Sequence, residues 1–315
     1  YDWLWKYQIS DFEKMSNLSR SDIEILKLNF YINPIETSKT YHSKDGTIKF
    51  LFKLFDNKVV EGVLIPQLDR LTVCISSQVG CSLACEFCAT GKLTSFRNLS
   101  AGEIYDQAFL INQYCKDELG KNITNVVFMG MGEPLLNYKN VMQSIEHITG
   151  QHGMNMSGKR ITVSTAGISK IIMKLADYKP KFGLAISLHS ANDIKRNEIM
   201  DINKTNNLSS LEKALIYFYE KTKTKPTYEY LLLKDFNDSL KDADELITFC
   251  KKTPCKVNLI EYNKVTGSHF EKSTEQSTNA FIRKLEQNKI LVKMRRSRGE
   301  DIGAACGQLA TEHSE

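Results

Sequence analysis

Hydrophobic and polar positions change period twice along the chain. Through residues 1 to about 45, apolar and charged side chains recur at helical spacing, as in Phe12-Glu13-Lys14-Met15 and Ile23-Glu24-Ile25-Leu26-Lys27-Leu28, with Asn17 and Ser19 available as caps. This predicts a small helical accessory domain over 1–45. From about 47 to 65 the period falls to two, with alternating runs at 48–52 and 59–65 around an Asp56-Asn57-Lys58 turn. That pattern predicts a β hairpin, and 46–70 reads as a β linker. After residue 70 the pattern becomes regular. Apolar, β-branched runs at 71–77, 123–129, 160–165, 182–188, 227–233 and 256–262 are each followed by helical periodicity, and a further run at 290–294 suggests an extra strand. Strands alternating with helices imply a parallel sheet with right-handed crossovers. Without a glycine-rich dinucleotide fingerprint, six such units predict an α/β fold, a partial (β/α)6 barrel over 71–315, with its chemistry at the C-terminal ends of the strands.

Composition narrows the class. The 315 residues carry 42 Lys+Arg against 37 Asp+Glu, a net charge of +5, with 42% hydrophobic and 25% charged positions. These proportions exclude a disordered, collagen-like or coiled-coil chain. No apolar run approaches the roughly 18 to 20 residues of a membrane span. The first residues, Tyr1-Asp2-Trp3-Leu4-Trp5-Lys6, carry neither an export signal nor an initiator Met, so a truncated start and a cytoplasmic location are expected. Eight cysteines, at 74, 81, 85, 88, 115, 250, 255 and 306, are too sparse for a disulfide scaffold, and four fall between 74 and 88. In a reducing compartment such a cluster is metal-binding or catalytic more often than structural.

The chemistry concentrates after the first strand of the repeat. Cys81-Ser82-Leu83-Ala84-Cys85-Glu86-Phe87-Cys88 sets three thiols at spacing C-x3-C-x2-C. Three thiolates hold three irons of a 4Fe-4S cluster and leave the fourth open. A structural zinc site is the alternative, although the second pair of ligands such sites use is missing from this stretch. Further polar groups fall after later strands: Gly130, Gly132 and Glu133 in Met129-Gly130-Met131-Gly132-Glu133-Pro134, then Ser164, then Ser187-Leu188-His189, then Asn263. Each suits a turn or cap as well as a ligand; Glu133 suits a role confined to its own loop. Cys115, Cys250 and Cys255 lie within helical or strand patterns as inert buried thiols. Cys74 leads into the cluster loop, and Cys306 follows the basic Arg295-Arg296-Ser297-Arg298, where nearby cations favour a thiolate. Lys/Arg clusters at 221–225, 251–256 and 289–298 suit either phosphate contacts or solvated helix faces.

The three-cysteine spacing, with an aromatic before the last thiol, resembles the radical S-adenosylmethionine (SAM) superfamily. The stretches Cys74-Ile75-Ser76-Ser77-Gln78-Val79-Gly80-Cys81, Met129-Gly130-Met131-Gly132-Glu133-Pro134-Leu135-Leu136-Asn137 and Ala304-Ala305-Cys306-Gly307-Gln308-Leu309 are similar to the RlmN/Cfr family of RNA adenine methyltransferases, over about residues 1–312. Val79, where the other branch has a cysteine, resembles the carbon 2 branch rather than the carbon 8 branch. The resemblance implies a 4Fe-4S cluster on Cys81, Cys85 and Cys88, and SAM contacts from Gly132, Glu133, Ser164, Ser187, Leu188, His189 and Asn263. It further implies Cys306 as methyl carrier, Cys74 as resolving thiol and Glu61 as base, with two SAM molecules per turnover. The implied substrates are 23S rRNA and tRNA; the implied protein is a monomer served by a flavodoxin-type reductant. By its residues alone Glu61 is only a polar position on a hairpin. The rival readings are a carbon 8 methyltransferase, a glycyl-radical activating enzyme and a non-catalytic zinc-stabilised RNA-binding module.

Overall fold

The computed structural model describes residues 1–93 and 97–310. Its main sheet has ten strands: β1 (Glu36–His42), β2 (Ile48–Lys53), β3 (Val59–Gln67), β4 (Arg70–Cys74), then β7 to β12, while the short β5 (Gln78–Val79) and β6 (Arg97–Asn98) pair with each other. The remaining six are β7 (Asn125–Phe128), β8 (Ile161–Thr165), β9 (Gly183–Ser187), β10 (Thr227–Leu232), β11 (Lys256–Glu261) and β12 (Val292–Arg295). From β4 onward every neighbouring pair in the main sheet is parallel. β1 to β4 are antiparallel. The helices are α1 (Asp2–Trp5), α2 (Arg20–Asn29), α3 (Ala101–Leu119), α4 (Tyr138–Thr149), α5 (Ser169–Tyr178), α6 (Asp193–Ile199), α7 (Leu208–Thr222), α8 (Leu240–Cys250) and α9 (Glu275–Gln287).

The six expected strands form within a few residues of their runs, because both faces of these strands are covered and the sequence answers with continuous Val, Ile and Leu. The run at 290–294 becomes a seventh parallel strand, β12. One expectation fails: residues 36–42, inside the stretch read as helical, are strand β1 at the sheet's edge. Its Thr37, Thr40 and Tyr41 favour extended backbone, but most of its side chains are exposed, so no apolar alternation marks it.

Local chemistry fixes the element ends. Ser19 caps α2 in a capping box with Asp22, and Ser100 does the same for α3 with Glu103. Asn17, expected as a cap, instead accepts a hydrogen bond from the Trp3 indole. The Asp56-Asn57-Lys58 turn forms with Asn57 at φ 62°. Trp5 stacks flat on His147 of α4, with ring centroids 3.7 Å apart, which seats the N-terminal helices on the barrel's outer layer.

The two ends of the sheet are joined by the chain after β12. Ser43 Oγ donates to Asp301 at 2.6 Å and Gly299 N–H donates to Asp45 at 3.0 Å, so the segment from 297 to 310 crosses back to the β1–β2 turn. Cys306 rides on that crossing. Among the described residues no helix is long and apolar enough to cross a membrane.

Candidate active site

The site lies at the C-terminal ends of the parallel strands. Cys81, Cys85 and Cys88 follow β4 on a loop and line one cavity of about 170 Å³ together with Gly132 and Glu133. Burial pushes the Cys81 thiol up to about 11. Burial, then the neighbouring Cys88 and Cys81, pushes Cys85 well above its ordinary value. Thiols so placed resist ionising alone and are repaid only by a cation, so the donor set fits an iron–sulfur cluster that would hold them as thiolates. Among the described residues no three metal-binding side chains converge on the position of a single ion. A cubane asks for something else, one thiolate on each of three irons.

The glycine loop after β7 is tied directly to the cluster loop. A Cβ on Gly130 would meet the Ile75 carbonyl at 2.7 Å, and one on Gly132, held at φ +96°, would meet Gln78 Cβ at 2.5 Å. Only glycine permits this approach. Gln78 also accepts from the Glu133 N–H at 2.8 Å, joining the two loops by a side chain. Glu133 itself is committed: its carboxylate accepts from the Leu135 N–H at 2.9 Å and the Ala166 N–H at 2.7 Å. It therefore ties its own loop to the end of β8, and burial pushes its carboxyl up.

Ser164, Ser187 and His189 line the same cavity. His189, at φ 55°, accepts from the Leu231 N–H on Nδ1, and burial with Arg196 nearby pulls its pKa down to about 3, so it is neutral. The Leu188 side chain is fully buried in the core, which leaves only its backbone for a ligand. Asn263 stands apart from this group. It lines a second cavity, donates to the Cys306 carbonyl at 3.2 Å, and leaves its Oδ1 buried without a partner.

That second cavity, of about 460 Å³, is lined by Cys74 and Cys306 and by the basic side chains Arg70, Lys293, Arg295, Arg296 and Arg298. Exposed Cys306 lines both cavities. Its segment is fastened to the cluster loop, since Ala89 N–H donates to the Gly307 carbonyl at 2.8 Å and Thr90 Oγ1 to the Leu309 carbonyl at 2.5 Å. Cys74, at the end of β4, is buried; burial and then Cys306 push its thiol up to about 12. Glu61 on β3 is fully buried and lines neither cavity: burial pushes its carboxyl up to about 7 against the pull of Lys49 and of the Ala310 N–H.

The three basic clusters part company here. Lys225 precedes β10 and Lys256 opens β11, so the clusters at 221–225 and 251–256 lie at the opposite end of the strands from the site. Only the 289–298 cluster reaches it. Cys115 and Cys250 are buried, and Cys255 is half-buried with its thiol 3.8 Å from the Cys250 carbonyl.

Two functional side chains, Arg196 and Gln78, escaped the sequence reading, while Arg295 already stands there as one of the cations beside Cys306. Arg196 of α6 is fully buried and donates to the carbonyls of Ala166, Ser187 and Leu188, gathering the ends of β8 and β9. Arg295 bonds Glu229 at 3.1 Å and interacts with both Cys306 and Cys74. Gln78 joins the cluster loop to the glycine loop. For Arg196 no local signal stands out, since its helix Asp193–Ile199 is largely polar.

The description of the Radical SAM superfamily matches residues 75–247. A "Probable dual-specificity RNA methyltransferase RlmN" of Cytophaga hutchinsonii is 52% identical over 98% of this chain and 85% of its own length. A protein of the same name from Flavobacterium psychrophilum is 51% identical over 99% and 90%. A crystal structure of a radical SAM methyltransferase from Sphaerobacter thermophilus superposes with a TM-score of 0.92 at 36% identity, covering 99% of this chain and 92% of that one. Identity of this order along nearly the whole chain, on a parallel barrel that gathers three thiols at its mouth, means that the chain belongs to the RlmN family within the radical SAM superfamily.

Proposed function

We propose that this chain methylates carbon 2 of adenine in 23S rRNA and tRNA, with Cys306 as methyl carrier, Cys74 as resolving thiol and Glu61 as base. The observation that carries the reading is the position of Cys306 on the wall between two cavities, one ringed by the three cluster thiols and one lined by Cys74 and five basic side chains. Cys81, Cys85 and Cys88 would hold the cluster, which together with SAM would supply radical chemistry able to take hydrogen from a methyl group. Gly132, Glu133, Ser164, Ser187, the Leu188 backbone and His189 shape the SAM side; Asn263 orients the Cys306 backbone beside it.

On the other side, Arg70, Lys293, Arg296 and Arg298 offer cations to phosphates, and the adenine must be splayed from its stack to reach the thiols. The carbon on Cys306 bonds to carbon 2 of the base. After one electron passes to a one-electron acceptor, for which the oxidised cluster would serve, and the carbon 2 proton passes to Glu61, the Cys74 thiolate attacks the Cys306 sulfur. The S–C bond breaks, a Cys74–Cys306 disulfide forms, and the methylated base leaves as its carbon takes a proton. A resting Cys74 kept neutral by burial does not react ahead of its turn. Two SAM molecules are used per turnover, and the disulfide needs a thiol reductant before the next. A cytoplasmic monomer with a flavodoxin-type electron donor suits this chemistry.

Two variants test the reading. Cys306→Ala is expected to abolish methyl transfer while 5′-deoxyadenosine formation from SAM stays detectable; full methylation by it would sink the carrier role. Cys74→Ala is expected to accumulate a covalent enzyme–RNA adduct, seen as a shifted band on a denaturing gel, and normal turnover would mean another group resolves the link. Mass spectrometry of nuclease fragments distinguishes carbon 2 from carbon 8.

A further inference from the structure

We propose that Lys49 is a positioning residue for methyl transfer, whose ammonium keeps the Glu61 carboxylate ionised and, through Gly303, anchors the segment that carries Cys306. The inference rests on the reading of Glu61 as the base. Strand register brings the groups together. In the β2–β3 ladder Lys49 pairs with Val63 and Leu51 with Glu61, so Lys49 and Glu61 are diagonal neighbours on one face. Val63 in turn pairs with Cys74, which places the resolving thiol on that same face.

Lysine is almost never fully buried unless paired, yet Lys49 is 5% exposed in a strand whose other lysine, Lys53, is exposed at its end. Its Nζ lies 3.7 Å from Glu61 Oε1, donates to the Gly303 carbonyl at 3.5 Å and sits 5.3 Å from the centre of the Tyr41 ring. The Ala310 backbone also acts on the Glu61 carboxyl, pulling it toward its ionised form. The ion pair thus holds the Cys306 segment at Gly303, three residues before the thiol, and feels it again at Ala310, four residues after it. A lysine present only to fill space would not need a carboxylate and the carrier segment at once.

The charge matters as much as the grip. Burial alone drives a carboxyl toward its neutral form, and a neutral Glu61 cannot take the carbon 2 proton. Lys49 on β2 faces Glu61 directly, Tyr41 of β1 lies against that ammonium, and Cys74 of β4 shares the face through its pairing with Val63, with Arg295 of β12 acting on Cys74. Among the described residues Lys49 is the charged group that acts directly on Glu61.

The test is Lys49→Gln, which keeps a hydrogen-bond donor and drops the charge, beside Lys49→Arg and Glu61→Gln. The infrared band of the protonated carboxyl, identified by its loss in Glu61→Gln, is titrated in each folded protein. Wild type is expected to titrate near pH 7, Lys49→Arg close to it, and Lys49→Gln about one pH unit or more higher. The acid limb of the RNA methylation rate should move upward with it, so that Lys49→Gln regains rate as pH rises. An unmoved carboxyl midpoint, or a rate lowered equally at every pH, overturns the proposal. If Lys49→Gln does not fold, Lys49→Met carries the same expectation, and Lys49→Arg set against wild type still reports whether a cation restores the midpoint. A shifted midpoint in a protein whose wild type yields no 2-methyladenine would leave Lys49 governing Glu61 and remove the base role instead.

Discussion

Arg196 shows how one side chain organises ligand-binding strand ends. Its guanidinium is fully buried and serves three backbone carbonyls and the Asn203 amide oxygen, so removing it takes a donor from four acceptors at once, of which the Leu188 carbonyl keeps the Ser190 N–H. Replacing it by Met should cost about 3 to 5 kcal/mol, the scale for breaking a buried charged network. A thermal denaturation midpoint unchanged in Arg196→Met would show that water satisfies those carbonyls. Single residues were also where the sequence spoke most unevenly. The three cluster cysteines announce themselves by spacing, whereas Glu61 has no local pattern and was visible only through family resemblance. Nothing around Asn263 in the sequence signalled that its amide would donate to the Cys306 carbonyl, because the direction of a side chain after a strand depends on the next loop's path rather than on the strand.

At the scale of elements, period and composition were enough to find the parallel strands, since burial on both faces writes itself into the residues. The edge strand β1 left no such mark: its partner on one side is water. Loop geometry was only partly legible. The glycines at 130 and 132 stood out as turn or ligand positions, but not as the places where the backbone packs on Ile75 and on Gln78 of the cluster loop. Gly132→Ala tests that join, because its Cβ would clash with Gln78 and its left-handed backbone disfavours a side chain. We expect a loss of about 1 to 3 kcal/mol in stability. SAM affinity should weaken by roughly tenfold or more, as measured by calorimetry on cluster-loaded protein. Unaltered affinity would mean the loop adjusts without disturbing the ligand.

Across the whole molecule, the sheet is an open barrel whose ends are joined by the segment after β12. No periodicity in the sequence foretells that crossing, because it is stitched by individual contacts between residues some 250 positions apart, such as Ser43 with Asp301. It has the effect of giving Cys306 two outlooks. On the function proposed above, the chamber that activates methyl groups and the chamber that receives the polynucleotide need never merge, since the one-carbon unit would cross between them on the Cys306 sulfur. A large, variable substrate can then be selected by surfaces that share no residue with the radical-generating side except the partition itself, Met129, Ile260, Arg295 and Cys306. Recognition is thereby free to diverge on one side of the wall while the reactive chemistry on the other stays fixed.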